Sequence, residues 1–164
     1  MNSAKRLAAA LLALTALSLA TSAAANDVRE FDPTSMNSIT ARQCGKGPFA
    51  LALWSLDCPH CKDGLAKLDK LRRQHPDLHV VLVQTDAAEQ GETGAALLDR
   101  LGIQADERWV FGDDAPERLR YSVDRQWAGE LPRTYLYRED CRRTGISGAL
   151  KTDMLQAWLK GARP

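Results

Sequence analysis

The stretch FALALWSLDCPHC, residues 49–61, decides the fold of this chain. Its first part, Phe49 to Trp54, is a continuous apolar run that is too short and too sharply bounded for a helix. Such runs are typical of a central strand buried on both faces. Two cysteines follow at once, and Pro59 between them suits the first turn of a helix. Leucines then recur at helical spacing as far as Leu71, so the stretch predicts a strand, a two-cysteine motif and a helix.

The rest of the chain continues this alternation of strands and helices. We expect further strands at Val28 to Phe31, Leu78 to Gln84, Trp109 to Phe111, Thr134 to Tyr137 and near Ile146. We expect further helices that begin at an N-cap Ser35, cover Glu92 to Leu101, follow a capping Asp114, and run through Met154 to Leu159. The alternation predicts an α/β sandwich around one central sheet.

Length and charge limit the function classes. The chain has 164 residues, enough for one domain with a hydrophobic core. Its 22 basic and 21 acidic side chains nearly cancel, and no block of like charge stands out, so nothing points to a nucleic-acid partner. A hydrophobic fraction of 45% argues against a disordered chain.

The N-terminus has the three-part layout of a secretory signal peptide. Lys5 and Arg6 precede an apolar run from Leu7 to Ala20, and small residues follow up to Ala25. We therefore predict a signal peptide over residues 1–25, cleavage after Ala25, a domain over residues 26–164 and a periplasmic location. The alternative is an uncleaved membrane anchor, although a membrane-spanning helix needs about 20 residues and the apolar run is shorter.

The two-cysteine motif carries the predicted chemistry. A thiolate is the attacking species in disulfide exchange, and the unpaired N–H groups at a helix N-terminus favour an anion. We expect Cys58 to attack the substrate and Cys61 to resolve the mixed disulfide. His60 should stabilise the thiolate, whereas Asp57 should raise the pKa of the thiol. The Pro59-His60 dipeptide therefore tunes the redox potential, in a direction that the sequence alone leaves open.

Two cysteines at this spacing have other possible roles. The pair could be an inert structural disulfide, although a motif between a strand and a helix disfavours this. A zinc site would need a second close pair of ligands, and a covalent haem site would need histidine where Lys62 stands. Binding of copper(I) by two thiolates is a minor alternative. We predict no metal site and no cofactor.

Two segments resemble thioredoxin-fold proteins: LWSLDCPHCK at residues 53–62 and GELPRT at residues 129–134. The gap between them holds an additional strand–helix stretch, a layout that looks like the TlpA-like branch of exported thiol–disulfide oxidoreductases. The resemblance covers most of the chain after residue 27. It implies a central mixed sheet flanked by helices, with a TlpA-like strand–helix insertion. It also implies protein thiols and disulfides as substrates, and a membrane or periplasmic redox partner.

The resemblance also assigns residues around the second segment. It implies that Pro132 is cis and lies beside the cysteine pair, with the backbone of Leu131 placed to pair with an extended substrate. Thioredoxin keeps a buried aspartate where this chain has Ala52, so that proton acceptor is missing, and Glu130 is the nearest acidic candidate to replace it. Asp57 stands where the family commonly has an aromatic residue.

The direction of electron flow is undecided at this point. The Pro-His dipeptide resembles that of the DsbA-type oxidants, but the span between Cys61 and Pro132 is too short for their helical insertion. The layout therefore favours a TlpA-like reductase, and the dipeptide favours a DsbA-like disulfide donor. A thioredoxin-fold module that binds copper or a partner without turnover is the alternative from another class.

The remaining cysteines, Cys44 and Cys141, form a second predicted pair. Cys44 lies just before the strand that ends at the motif, and Cys141 lies in the turn after the strand that follows Pro132. In a thioredoxin-like sheet these two strands are antiparallel neighbours, so both cysteines should reach the end of the sheet opposite the motif. We predict a structural Cys44–Cys141 disulfide; two free thiols are the alternative.

Overall fold

The computed structural model describes residues 27–161, which form a six-stranded sheet with helices on both faces. The strands are β1 (Val28–Phe31), β2 (Phe49–Trp54), β3 (His79–Gln84), β4 (Glu107–Phe111), β5 (Arg133–Tyr137) and β6 (Arg143–Ser147). The helices are α1 (Ser35–Gln43), α2 (Cys61–Gln74), α3 (Gly91–Arg100), α4 (Pro116–Val123) and α5 (Thr152–Leu159), with a short 3₁₀ turn at Ala88–Gln90 before α3. The predicted signal peptide lies outside the described residues.

The sheet is mixed, as predicted, and its strand order is β1-β4-β3-β2-β5-β6. Strands β1, β4, β3 and β2 run parallel, β5 is antiparallel to β2, and β6 is antiparallel to β5. The apolar run Phe49–Trp54 is the second strand, next to β3 and β5 near the middle of the sheet, and all six of its residues are buried. The prediction of a central strand buried on both faces is therefore confirmed.

Two hydrophobic cores lie on opposite faces of the sheet, because successive side chains of a strand point to opposite faces. Ala50, Ala52 and Trp54 of β2 belong to the core that contains residues of α2, α3 and α5. The residues between them belong to the core that contains residues of α1 and α4. Alternate side chains of β2 therefore pack into opposite cores, up to the end of the strand.

The predicted additional strand–helix stretch is present between the two sequence segments. Strand β4 lies between β1 and β3, with α3 before it and α4 after it. Gly102 follows α3 with a positive φ of 67°, which suits a glycine at the C-terminal cap. The insertion therefore widens the sheet on the side of β3, away from β5.

Glu107, the first residue of β4, links the insertion to α1. Its carboxylate accepts hydrogen bonds from Arg42 (2.8 Å), Gln43 (2.7 Å) and the Trp109 indole (3.0 Å), and Arg29 lies at 3.3 Å. Burial alone would raise the pKa of Glu107, but the hydrogen bonds from Arg42 and Gln43 outweigh it and lower the pKa below 4.5. The side chain of Glu107 is only 8% exposed, whereas those of Arg29 and Arg42 are 47% and 40% exposed, so a buried carboxylate is bound by arginines at the surface.

Two helix starts differ from the sequence prediction. Helix α1 begins at Ser35, whose N-cap is Thr34, and the Ser35 hydroxyl bonds back to Asp32. The N-cap of α4 is Ala115, whereas Asp114 forms an ion pair with Arg118. In the first case the Asp32 carboxylate accepts hydrogen bonds from the Thr34 N–H (2.7 Å) and the Ser35 hydroxyl (3.1 Å), and no side chain caps the helix.

The far end of the sheet carries the second cysteine pair. Cys44 is the C-cap of α1, and Cys141 lies in the turn between β5 and β6, where it has a positive φ of 65°. The register that places Phe49 opposite Tyr137 brings the chain before β2 and the chain after β5 to the same end. The structure joins Cys44 and Cys141 by a disulfide, with their Cα atoms 5.4 Å apart.

None of the helices within residues 27–161 is both long and apolar enough to cross a membrane.

Candidate active site

The cysteine motif follows β2 through two consecutive turns. The Cys58 N–H donates to the Ser55 carbonyl (3.3 Å), and the Cys61 N–H donates to the Cys58 carbonyl (3.4 Å). His60 has φ −97° and ψ −7°, the values of the third residue of a type I turn, and Pro59 occupies the second position, where its fixed φ is favoured. Helix α2 therefore begins at Cys61, and Pro59 lies two residues before it and not, as predicted, in its first turn.

The two cysteines differ in exposure. They are joined by a disulfide, with Cα atoms 5.4 Å apart, the separation expected across one turn. Cys58 is 7% exposed and Cys61 is 1% exposed. Both cysteines are thus buried, and Cys58 is the one that keeps some accessible surface.

The residues on either side of Cys58 face the solvent. Asp57, Pro59 and His60 are all exposed. His60 is also the N-cap of α2, but its side chain makes no capping hydrogen bond. Solvent screens charges at such positions, so the tuning role of these three side chains stays a prediction.

The loop before Cys58 is fastened to the end of β3. The Leu56 N–H donates to the Asp86 carboxylate (2.9 Å), and the Thr85 N–H donates to the Trp54 carbonyl (2.8 Å). Sequence reasoning missed Asp86, because its partner lies 30 residues away along the chain. The parallel pairing of β2 and β3 could have pointed to it, since their carboxyl ends lie at the same edge of the sheet.

The second predicted segment meets the cysteine motif behind Cys61. The Leu131–Pro132 peptide bond is cis, as the resemblance implies, Pro132 is buried and Leu131 is half-buried. Pro132 and Cys61 line the same small cavity of about 10 Å³. The other residues that line this cavity are Ala52, Leu53, Trp54, Gly64, Leu65, Thr134 and Leu150.

The cavity behind Cys61 contains no acid. Ala52 pairs in register with Thr134, and no carboxylate or amine of the described residues lines the space. Glu130 is exposed, and its carboxylate accepts a hydrogen bond from the Ser147 hydroxyl at 2.6 Å. This hydrogen bond, helped by Arg133, lowers the pKa of Glu130. Glu130 is therefore poorly suited to accept a proton from Cys61.

A polar cluster that the sequence did not reveal lies on the opposite face of β5. The Tyr135 hydroxyl donates to Asp124 (2.9 Å), and the guanidinium carbons of Arg133 and Arg143 each lie 4.7 Å from the centre of the Tyr135 ring. Burial raises the pKa of Tyr135 to about 12. Burial would also raise the pKa of Asp124, but the Gln126 N–H, Tyr135 and the two arginines lower it.

Within residues 27–161, no group of three or more histidine, cysteine and acidic side chains could hold a metal ion.

Solved structures with the same fold were found by comparison. A DsbF homologue from Corynebacterium diphtheriae superposes with a TM-score of 0.60 at 14% identity, over 74% of this chain and 75% of that chain. A thiol:disulfide interchange protein from Chlorobium tepidum TLS gives 0.59 at 16% identity, over 75% and 83%. A secreted Mycobacterium tuberculosis disulfide oxidoreductase homologous to E. coli DsbE gives 0.54 at 20% identity, over 74% and 85%.

Neither a protein-family model nor a curated protein matches this chain. At these identities the solved structures show the fold and not the activity. The chain has a thioredoxin-like fold, as the two segments predicted.

Proposed function

We propose that this protein is a thiol–disulfide oxidoreductase that exchanges disulfides with protein substrates through Cys58 and Cys61, as a TlpA-like reductase. The observation that supports it best is the position of the pair at the end of the buried strand β2, where Cys58 keeps 7% of its surface accessible and Cys61 only 1%. A nucleophile must reach its substrate, whereas a resolving thiol needs to reach only its neighbour. The solved structures of the same fold include thiol:disulfide interchange proteins, which agrees with the proposal.

The reaction proceeds in two exchanges. The Cys58 thiolate attacks one sulfur of a substrate disulfide, the substrate S–S bond breaks, and the first substrate thiolate leaves while a mixed disulfide forms. The Cys61 thiolate then attacks the Cys58 sulfur and releases the second substrate thiolate. Two electrons pass from the cysteine pair to the substrate, which takes two protons from water, and the pair ends as the Cys58–Cys61 disulfide.

The Leu131 backbone is the proposed docking point for the substrate. Pro132, in the loop before β5, lines the same cavity as Cys61. Leu131, the residue before Pro132, is half-buried. An extended segment on one side of the substrate cysteine would pair with this backbone, in the manner of strand addition. The substrate class is therefore a protein disulfide with an extended, accessible flank.

A DsbA-like disulfide donor is the second candidate, and the exposed Pro59-His60 dipeptide favours it. His60 lies between the two cysteines, where an imidazolium would stabilise the Cys58 thiolate and hence the reduced form. The redox potential decides between the candidates. A value of about −270 mV supports the reductase, and a value of about −120 mV supports the donor.

Catalysed reduction of insulin by dithiothreitol tests the activity itself. We expect the protein to accelerate the reduction, Cys58→Ser to abolish the acceleration, and Cys61→Ser to accumulate a mixed disulfide with insulin. A Cys58→Ser variant that still accelerates the reduction would remove the basis of the proposal. If the unaltered protein gives no acceleration, titration of the reduced protein with copper(I) tests the alternative of a binding module.

We also propose that the protein is exported and that Cys44–Cys141 is a structural disulfide. All four cysteines of the chain are paired in the structure, and stable disulfides belong to oxidising compartments. This supports a periplasmic protein whose signal peptide, residues 1–25, is removed and whose reductant is a membrane or periplasmic redox partner. N-terminal sequencing of the periplasmic protein tests the cleavage after Ala25.

A further inference from the structure

Hydrogen bonds among three side chains, those of Glu130, Arg133 and Ser147, hold the loop at residues 130–132. The Arg133 Nη1 donates to the Ser147 hydroxyl (2.6 Å) and to the Glu130 carboxylate (3.4 Å). Ser147 donates in turn to the same carboxylate oxygen of Glu130 (2.6 Å). Glu130 is the first residue of the loop, Arg133 follows it and Ser147 belongs to the neighbouring strand β6, so these three side chains link the two ends of the loop to β6.

Contacts with Tyr135 and Asp124 also hold the Arg133 side chain in place. Its guanidinium lies 4.7 Å from the centre of the Tyr135 ring, and its Nη2 lies 3.4 Å from the Asp124 carboxylate. Only 15% of the Arg133 side chain is exposed. Because these contacts already restrict the rotamers of Arg133, its hydrogen bonds to the loop cost little further side-chain entropy.

Gly145 supplies the space that this arrangement needs. It is the residue of β6 in register with Tyr135. A Cβ at this position would lie 2.5 Å from the Arg133 Nη2 and 3.1 Å from the Tyr135 ring. Any residue other than glycine would therefore displace the guanidinium of Arg133.

We infer that Arg133 is a positioning residue that fixes the Leu131–Pro132 backbone for a protein substrate and contributes little to exchange with small disulfides. The inference rests on the proposed function. An extended peptide gains its hydrogen bonds only if the loop backbone is already in place, because ordering the loop during binding would weaken the binding. A small disulfide such as oxidised glutathione needs only the sulfur of Cys58.

The test compares the two classes of substrate in Arg133→Met. We expect the kcat/KM for insulin to fall about tenfold, mainly through a higher KM, because a misplaced binding element costs at least this much. The rate with oxidised glutathione should stay within about twofold of the unaltered protein, and the redox potential should be unchanged. Arg133→Lys keeps the charge but loses the forked geometry, and it should restore only part of the loss.

Arg143→Met is the matched control. Its guanidinium stacks on the Tyr135 ring at the same 4.7 Å, but its hydrogen bonds go to the Val123 carbonyl (2.9 Å) and the Tyr137 hydroxyl (3.1 Å). Removing it disturbs the cluster without touching Glu130 or Ser147. We expect this control to react with insulin as the unaltered protein does.

Gly145→Ala gives a second, independent route to the same displacement. Alanine suits a strand better than glycine, so the variant should fold, yet it should lower the insulin rate in the same sense as Arg133→Met. The inference is overturned if Arg133→Met leaves the insulin rate unchanged, or lowers the insulin and glutathione rates equally. Since the unaltered protein must first reduce insulin, a failure of the proposed function shows in that measurement and not in the variants.

Discussion

Removal of the Cys44–Cys141 disulfide should destabilise this protein more than removal of the Cys58–Cys61 disulfide. The bond closes a loop of 97 residues. In the chain-entropy treatment, opening a loop of this length returns about 4.7 kcal/mol of conformational freedom to the unfolded chain at 25 °C. The Cys58–Cys61 bond spans only 3 residues, for which the same relation gives about 1.6 kcal/mol.

The assay is urea unfolding of two double variants, Cys44→Ala with Cys141→Ala, and Cys58→Ala with Cys61→Ala. Alanine at position 141 keeps the backbone at the positive φ of 65°, so any cost of that conformation is present before and after the change. The free energy of unfolding follows from linear extrapolation, and the slope reports whether the unfolded chain has expanded. We expect a difference of about 3 kcal/mol between the two variants.

A loss below about 1 kcal/mol for the Cys44 and Cys141 variant would refute the long-loop argument. So would equal losses for the two variants. Peptide mapping of the non-reduced protein provides the covalent control: a peptide that links Cys44 to Cys58 would contradict both pairings at once.

Three further changes test buried ionisable groups: two remove such a group, and one introduces it. Glu107→Gln should lower the free energy of unfolding by about 2 kcal/mol at pH 7, because the hydrogen bonds from Arg42 lose their charged acceptor. Since the pKa of Glu107 is lowered on folding, this difference should persist above pH 4.5 and vanish as the pH falls through the folded value, in urea titrations. Tyr135→Phe should remove part of the stability loss seen between pH 10 and about 12, because the raised pKa of Tyr135 makes the unfolded chain release its proton first. Ala52→Asp should cost about 3 kcal/mol at pH 8 and less at pH 5, the equivalent of a pKa raised by roughly two units in the cavity behind Cys61; unchanged stability at both pH values would show that the cavity admits water.

The sequence predicts the strands and the site well where local pattern decides the structure. The apolar run Phe49–Trp54 is a strand with the bounds expected from the sequence, because its residues can be buried only between two layers of helices. Pro132 and Cys61 line the same cavity, as the resemblance to thioredoxin-fold proteins implied.

Features that depend on distant partners could not be predicted in this way. The two predicted N-caps failed for a local reason instead, because the Ser35 hydroxyl bonds back to Asp32 and Asp114 forms an ion pair with Arg118. Asp86 fastens the loop before Cys58 across the gap between two strands. Arg133 follows a proline in the sequence like an ordinary strand residue, and only the register of β6 shows that Ser147 lies within its reach.

The two disulfides lie at helix ends of opposite polarity, and we expect this difference to affect the order in which they are reduced. Cys58 and Cys61 meet the N-terminal end of α2, whereas Cys44 follows the C-terminal end of α1. A departing thiolate is favoured beside free N–H groups and disfavoured beside free carbonyls. On thiolate stability, and against the greater exposure of Cys141, we expect limiting reductant to reduce the Cys58–Cys61 disulfide first and to leave the Cys44–Cys141 disulfide intact.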